Sequence, residues 1–235
     1  MQSLESRALP PAARAGFERQ LTGLRAAEAA GDARIGWKIA LNSPPVQAAF
    51  GLAGPLLGHL VRSRRYGPGA TVSIPEPGVI IVEAEAALVL GTDVLPGAPL
   101  DACAEAIAGV APALEFLAVN GPIDDLEAAI AGNAFHAAVV IGGAVPLPAA
   151  FSMEGLELDL RVAGGATTAL DPALVVGEPA AIVRFAAGLL GTFGEPLRAG
   201  QVILCGSLNR ATRVPRGATV EATLGPLGAL SARIA

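Results

Sequence analysis

The twelve residues Val79 to Leu90 read VIIVEAEAALVL, apolar throughout except for two glutamates separated by one alanine. The β-branched start and the length of the run predict a strand. On a strand, residues two apart share a face. Glu83 and Glu85 therefore point the same way, together with Ile81, Ala87 and Val89, and the intervening residues form an uninterrupted apolar face. An ionised carboxylate in a dry setting costs several kcal/mol unless a cation or hydrogen bonds offset it, and two together repel. Two readings stay open for this strand: one wet face carrying surface charges, or a dry site that needs a divalent ion.

The rest of the chain narrows the class. Its 235 residues are enough for one sizeable core, and no linker-like stretch divides them. A single domain over 1–235 is expected, with an N-terminal helical segment at 1–34 and the remainder at 35–235. Apolar residues make up 52% and charged residues 16%, too few charges to cover a monomer generously, so a homo-oligomer is expected. Apolar runs are broken before the length of a membrane span, and the start lacks the basic-then-apolar pattern of a secretory leader. A cytoplasmic protein without a membrane is expected. Net charge is −5, with no basic cluster beyond Arg62, Arg64 and Arg65, which argues against nucleic acid as a partner. Cys103 and Cys205 sit in apolar contexts without metal-type spacing and read as reduced core thiols.

Along the chain, Pro10 and Pro11 open a helix reaching Ala30, with Phe17, Leu21 and Leu24 at helical spacing. IGWKIAL reads as a strand. Asn42 to Gly78, rich in Gly and Pro, reads as a long functional loop with turns at Gly58, Gly67 and Gly69. A helix over 102–110 capped by Asp101, a strand at 113–119, a short helix from Pro122 and Asp124 to Ala131, and a strand at 134–141 follow. Leu156 to Val162 alternates as a half-exposed strand, and Glu178 with Pro179 opens a helix closed by Gly194. Three last strands are expected at 201–205, 219–224 and 229–234. Strands outnumber helices without regular alternation, so the fold class is α+β: an N-terminal helix, then a mixed β-sheet roll with flanking helices.

Two further residues bear on the glutamates. Glu115, in APALEFLAV, is another lone carboxylate in an apolar strand; with Glu83 and Glu85 it would complete an all-oxygen site suited to Mg²⁺ or Mn²⁺. Lys38 is the single lysine beside fifteen arginines and lies within apolar GWKIAL. Ammonium is the basic group whose proton affinity burial can tune, although a strand-end lysine can also simply reach out to water.

The motifs GWKIALNS (36–43), VEAEAALVLG (82–91), PALE (112–115), GNA (132–134), VVGEPA (175–180) and LRAGQVILCGSL (197–208), in this order, resemble the 2-keto-4-pentenoate hydratase and 4-oxalocrotonate decarboxylase group of the fumarylacetoacetate hydrolase superfamily. The resemblance implies that superfamily's β-roll and a divalent metal at Glu83, Glu85 and Glu115. It also implies a catalytic Lys38 and a small 2-oxo or 2-hydroxydienoate acid as substrate, in the breakdown of aromatic compounds. Hydration of a 2-hydroxypenta-2,4-dienoate-like acid is the expected reaction. A 4-oxalocrotonate-type decarboxylase, or a diverged metal-binding homologue without turnover, is the alternative, and a complex with a pathway enzyme is possible for such a protein. Ser43, Asn133 and Ser207 fall in matched segments and are candidates to orient substrate, although turn and capping roles fit such residues too. The chain departs from the group's pattern at Leu56, Ala118 and Gly132, where acids are expected. His59, near the first of these, is a candidate substitute proton carrier, as is His136.

Overall fold

A computed structural model describes residues 4, 9–75, 78–121, 124–148 and 151–235. In chain order the helices are α1 (Pro11–Ala29), α2 (Pro44–Phe50), α3 (Leu100–Glu105), α4 (Leu126–Ala131) and α5 (Pro179–Gly191). The strands are β1 (Arg34–Ala40), β2 (Leu56–Val61), β3 (Arg65–Tyr66), β4 (Thr71–Val72), β5 (Val79–Leu90), β6 (Ile107–Val119), β7 (His136–Ile141), β8 (Leu158–Val162), β9 (Val202–Leu204), β10 (Thr212–Arg213), β11 (Thr219–Leu224) and β12 (Ala229–Ile234). The larger sheet runs β2-β1-β9-β5-β6-β7-β3, with β10 pairing β5 outside that order; the smaller runs β4-β12-β11-β8. Both are mixed, since β1 with β9, β3 with β7 and β12 with β4 pair in parallel and the rest antiparallel. The expected α+β architecture with a mixed, curled sheet and flanking helices is what forms.

The strand that opened the sequence argument is the centre of the larger sheet. One face of β5, Ile80 through Leu90 at even positions, enters the main core with Phe17, Leu21 and Leu24 of α1. The other face carries Glu83 and Glu85, and continues into a second apolar cluster of Leu60, Ala87, Ala111, Ala113, Val139 and Leu204. It is buried at Glu85 and Ala87 and opens onto a cavity at Glu83, so these acids are not ordinary surface charges. At about 25 cal/mol per Å² of apolar surface removed from water, both faces contribute to stability, and the acids are embedded in the second.

The long loop expected over 42–78 is in fact structured, and holds α2, β2 and the short β3 and β4. Gly58 misled: it lies inside β2, opposite Lys38 in register, where an added Cβ would sit 2.8 Å from Lys38 Cε and 2.7 Å from Asn133 Oδ1. It serves a close approach and not a turn. Gly69, at φ +77°, does turn the chain. The helix expected over 102–110 stops at Glu105, because β6 begins at Ile107 and pairs with β5 out to Leu90. Ladder hydrogen bonds and burial override the local helix tendency there. Strand β7 begins at His136, two residues later than expected, because Asn133, Ala134 and Phe135 adopt φ of 60°, 47° and 64°. The short helix expected from Pro122 begins at Leu126, with Asp125 Oδ1 accepting from Ala128 N–H; Pro122 itself lies outside the described residues.

The stretch 172–191 is long and apolar enough by composition to cross a membrane. It is broken into a single 3₁₀ turn at Pro172–Leu174 and α5, whose residues Ile182, Val183, Ala186 and Leu190 are buried in the core. Cys103 and Cys205 are free and buried.

Candidate metal centre and active site

Pairing across the sheet assembles the site. Register sets Glu83 directly opposite Glu115, with Glu85 two residues further along the same face of β5. One carboxylate oxygen from each of Glu83, Glu85 and Glu115 lies within 4.8 Å of the others. Glu85 and Glu115 are fully buried, and Glu83 lines a cavity. From β1, Lys38 reaches the same acids: its Nζ lies 2.6 Å from Glu115 Oε1, and the side chain is 2% exposed. His136, at the start of β7, places Nδ1 2.6 Å from the same oxygen, so the ring donates from Nδ1. Glu85 Oε2 accepts the Gly206 N–H at 2.7 Å.

Two carboxylate oxygens here, Glu85 Oε1 and Glu115 Oε2, are buried and have no hydrogen-bond partner. Buried acceptors are ordinarily satisfied, and leaving a charged one bare costs several kcal/mol. Burial and the Glu115 charge push the Glu83 carboxyl up to about 7, with Lys38 opposing. Burial and both neighbouring acids push Glu85 well above the carboxylate range. Burial acts on Glu115 too, but the Lys38 ammonium and His136 override it and hold this acid down to about 2. Three clustered acids, bare oxygens facing inward and one lysine that compensates a single charge together fit a hard divalent cation with oxygen ligands.

The cavity at this cluster has a volume of about 590 Å³. Lys38, Glu83, Ser43 and Ser207 line it with apolar Ile81, Leu117 and Phe135. Of the residues expected to orient substrate, Ser43 and Ser207 are thus at the cavity, the latter with its hydroxyl donating to Asn209 O at 2.7 Å. The Asn133 side chain is engaged elsewhere: Oδ1 accepts from His59 N–H and Nδ2 donates to His59 O, which clamps the strained turn onto β2. His59 is not brought to the carboxylates. Strand pairing puts it beside Trp37, on the opposite face from Lys38 and Gly58, and its Nδ1 lies 3.4 Å from Gln20 Oε1. Burial, with lesser repulsion from His136 and Lys38, lowers its pKa to about 4. Of the two histidines, His136 is the one that touches the acids.

Sequence reasoning also missed two asparagines. Asn42 donates to the carbonyls of Leu174 and Ser207, and Asn209 accepts from Ala84 N–H on β5 and donates to Val82 O, so both pin cavity loops to the sheet. Asn42 stands in the quoted GWKIALNS, but nothing local distinguishes a buried loop asparagine from a turn residue. The positions of the absent acids are ordinary here: Leu56 is buried in β2 and Gly132 ends α4.

Residues 56–235 match the fumarylacetoacetate hydrolase C-terminal family. The chain belongs to that family. Within it, 2-hydroxyhexa-2,4-dienoate hydratase of Comamonas testosteroni is 35% identical over 202 residues, 83% of this chain and 75% of that protein. The 2-keto-4-pentenoate hydratase of Paraburkholderia phymatum is 31% identical over 217 residues, 89% and 80% of the two chains. The structure of 4-oxalocrotonate decarboxylase from Pseudomonas putida, complexed with magnesium and adipate, superimposes with a TM-score of 0.85 at 26% identity, covering 94% of this chain and 85% of that one. This member of the family is accordingly an enzyme of the hydratase and decarboxylase group, with a divalent-metal centre.

The carboxyl shifts carry a sign that can be measured. In the metal-free protein Glu83 titrates near 7 instead of 4.5, so the native state holds a proton that the unfolded chain has already released. The contribution of this group to stability is fully present below about 4.5 and is lost as pH rises to about 7; Glu85 acts in the same sense, while the lowered histidines His59 and His136 oppose it in part below about 6.5. Thermal unfolding in a chelator is expected to show a lower Tm at pH 8 than at pH 5.5, and excess Mg²⁺ should remove the difference. A chelated Tm that rises over this interval would contradict the raised carboxyls.

Proposed function

We propose that the protein hydrates 2-hydroxypenta-2,4-dienoate-like acids, with Mg²⁺ or Mn²⁺ held by Glu83, Glu85 and Glu115. The observation that carries this reading is the Lys38 ammonium 2.6 Å from one of three clustered acids, at the inner end of a cavity with apolar walls. When bound, the ion supplies Lewis-acid stabilisation of negative charge on the carboxylate and 2-oxygen of such an acid. Lys38 is the group placed to carry a proton between that oxygen and the chain carbons of the substrate, because it lines the cavity beside the acids. His136 holds Glu115 from behind and fixes its orientation. Ile81 and Leu117 exclude bulk water along the substrate's chain, which strengthens every charge interaction at its head. Identity of 35% with a hydratase, against 26% with the decarboxylase, supports hydration over decarboxylation. The same reading includes a cytoplasmic homo-oligomer, consistent with 52% apolar residues.

The test is incubation with Mg²⁺ and freshly generated 2-hydroxypenta-2,4-dienoate, following loss of diene absorbance. Turnover that requires the metal and releases no CO₂ is expected. Release of CO₂ from 4-oxalocrotonate without hydration of the dienoate would replace hydratase with decarboxylase.

A further inference from the structure

Strand β2 stands at one end of the larger sheet, and among the described residues β1 is its one strand neighbour. At His59 the open edge is nonetheless occupied. The Asn133 side chain accepts from His59 N–H at 2.8 Å and donates to His59 O at 2.9 Å, so a single amide makes both bonds that a further strand would make. Asn133 leads directly into β7, near the other end of the same sheet, so this clamp ties the two ends together. Between the bonded amide and β7 the chain holds positive φ at Asn133, Ala134 and Phe135. Alanine and phenylalanine keep such a backbone only where their surroundings impose it. What the turn delivers lies in the site: Ala134 and Phe135 line the cavity, and Ala134 O is 3.5 Å from Lys38 Nζ. The ammonium is thereby held from two elements, by Glu115 Oε1 of β6 at 2.6 Å and by this carbonyl, and a third N–H remains for the cavity. Gly58 lies between the Lys38 stem and the Asn133 amide, and its missing Cβ is what lets the two approach.

We propose that Asn133 is a positioning residue for the reaction: its amide, clamped to the edge of β2 at His59, holds the 133–135 turn so that the Ala134 carbonyl fixes the Lys38 ammonium toward the cavity. This rests on the reading above that Lys38 carries the proton. Asn133 acts through the lysine and does not touch the substrate. With Glu115 as its one acceptor, Nζ could swivel about a single contact, and a proton carrier displaced by about 1 Å loses much of its effect. Asparagine suits the position because it tolerates positive φ and offers both an acceptor and a donor to the strand edge. The three acids stand on β5 and β6, whose register does not depend on the clamp.

A double-mutant cycle with the lysine tests this assignment. Asn133→Gly removes the clamp and adopts φ of 60° without strain. With Mg²⁺ and the acid that the wild type turns over, kcat of this variant should fall by about 10–100-fold, the usual loss when a supporting contact is removed. KM and the Mg²⁺-dependent rise in Tm should stay close to wild type. In a Lys38→Met background the same substitution should cause no further fall in kcat, because the residue it acts through is gone. Asn133→Asp tolerates the same φ and keeps the acceptor for His59 N–H, so its kcat should lie between those of Asn133→Gly and the wild type; it takes the place of glycine in the cycle if Asn133→Gly does not fold. Wild-type kcat in Asn133→Gly, a loss that multiplies with that of Lys38→Met, or a lost response of Tm to Mg²⁺ overturns the assignment and leaves the reading of Lys38 intact. Wild-type kcat in Lys38→Met refutes that reading, and the assignment falls with it.

Discussion

Glu85→Gln is expected to abolish stabilisation by divalent metal while leaving the metal-free fold at least as stable as the wild type. The glutamine oxygen can keep the bond from Gly206 N–H, so the turn there survives. What changes is the atom now bare at Oε1, which becomes an amide nitrogen that cannot ligate a cation. A fully buried carboxyl, whose ionisation burial and both neighbouring acids oppose, is replaced by an amide that never ionises, so in a chelator the variant should unfold at or above the wild-type temperature. At a hundredfold excess over Kd, metal stabilises the wild type by about 2.7 kcal/mol, roughly 5–10 °C in Tm for a chain of this size. Scanning both proteins with and without Mg²⁺ reads all four values. An equal metal-dependent rise in the variant would remove Glu85 from the centre.

Replacing the lysine separates chemistry from metal binding. Lys38→Met keeps length and apolar volume but deletes the cation 2.6 Å from Glu115. The acid cluster becomes more negative, so affinity for a divalent ion should hold or increase. Turnover should fall by roughly 10²–10⁴, the usual contribution of a positioned acid or base. Lys38→Arg should not restore it, since the added bulk meets a strand packed around Gly58, where Lys38 Cε already lies 2.8 Å from the position of a Cβ. Metal titration beside steady-state rates decides the matter. A Lys38→Met variant retaining wild-type kcat would rule out a chemical role for this residue.

The alternating pattern of β5 made its two acids legible as neighbours, and the lone Glu115 and Lys38 stood out because an apolar strand has few reasons to carry a charge. Their convergence was not legible from spacing alone, since it depends on the Glu83–Glu115 register and on β9 lying between β1 and β5. Gly58 was read as a turn because a single sequence does not show what a missing Cβ would have struck. His59 was preferred to His136 for its place near Leu56, yet alternation along β2 turns it toward Trp37. His136 gained its role from a backbone of three positive-φ residues, Asn133 to Phe135, which asparagine tolerates but alanine and phenylalanine rarely adopt.

Strand β1 is held on one side by β2 and on the other by β9, whose Leu204 pairs with Lys38. During synthesis the lysine leaves the ribosome long before its second neighbour exists. At about 5–20 residues per second the interval is on the order of ten seconds or more. Throughout that wait the edge of β1 is an open template, and the nascent chain has no competent centre to engage metal or acid. Closure by the late strand is therefore the event that turns a growing polypeptide into a catalyst.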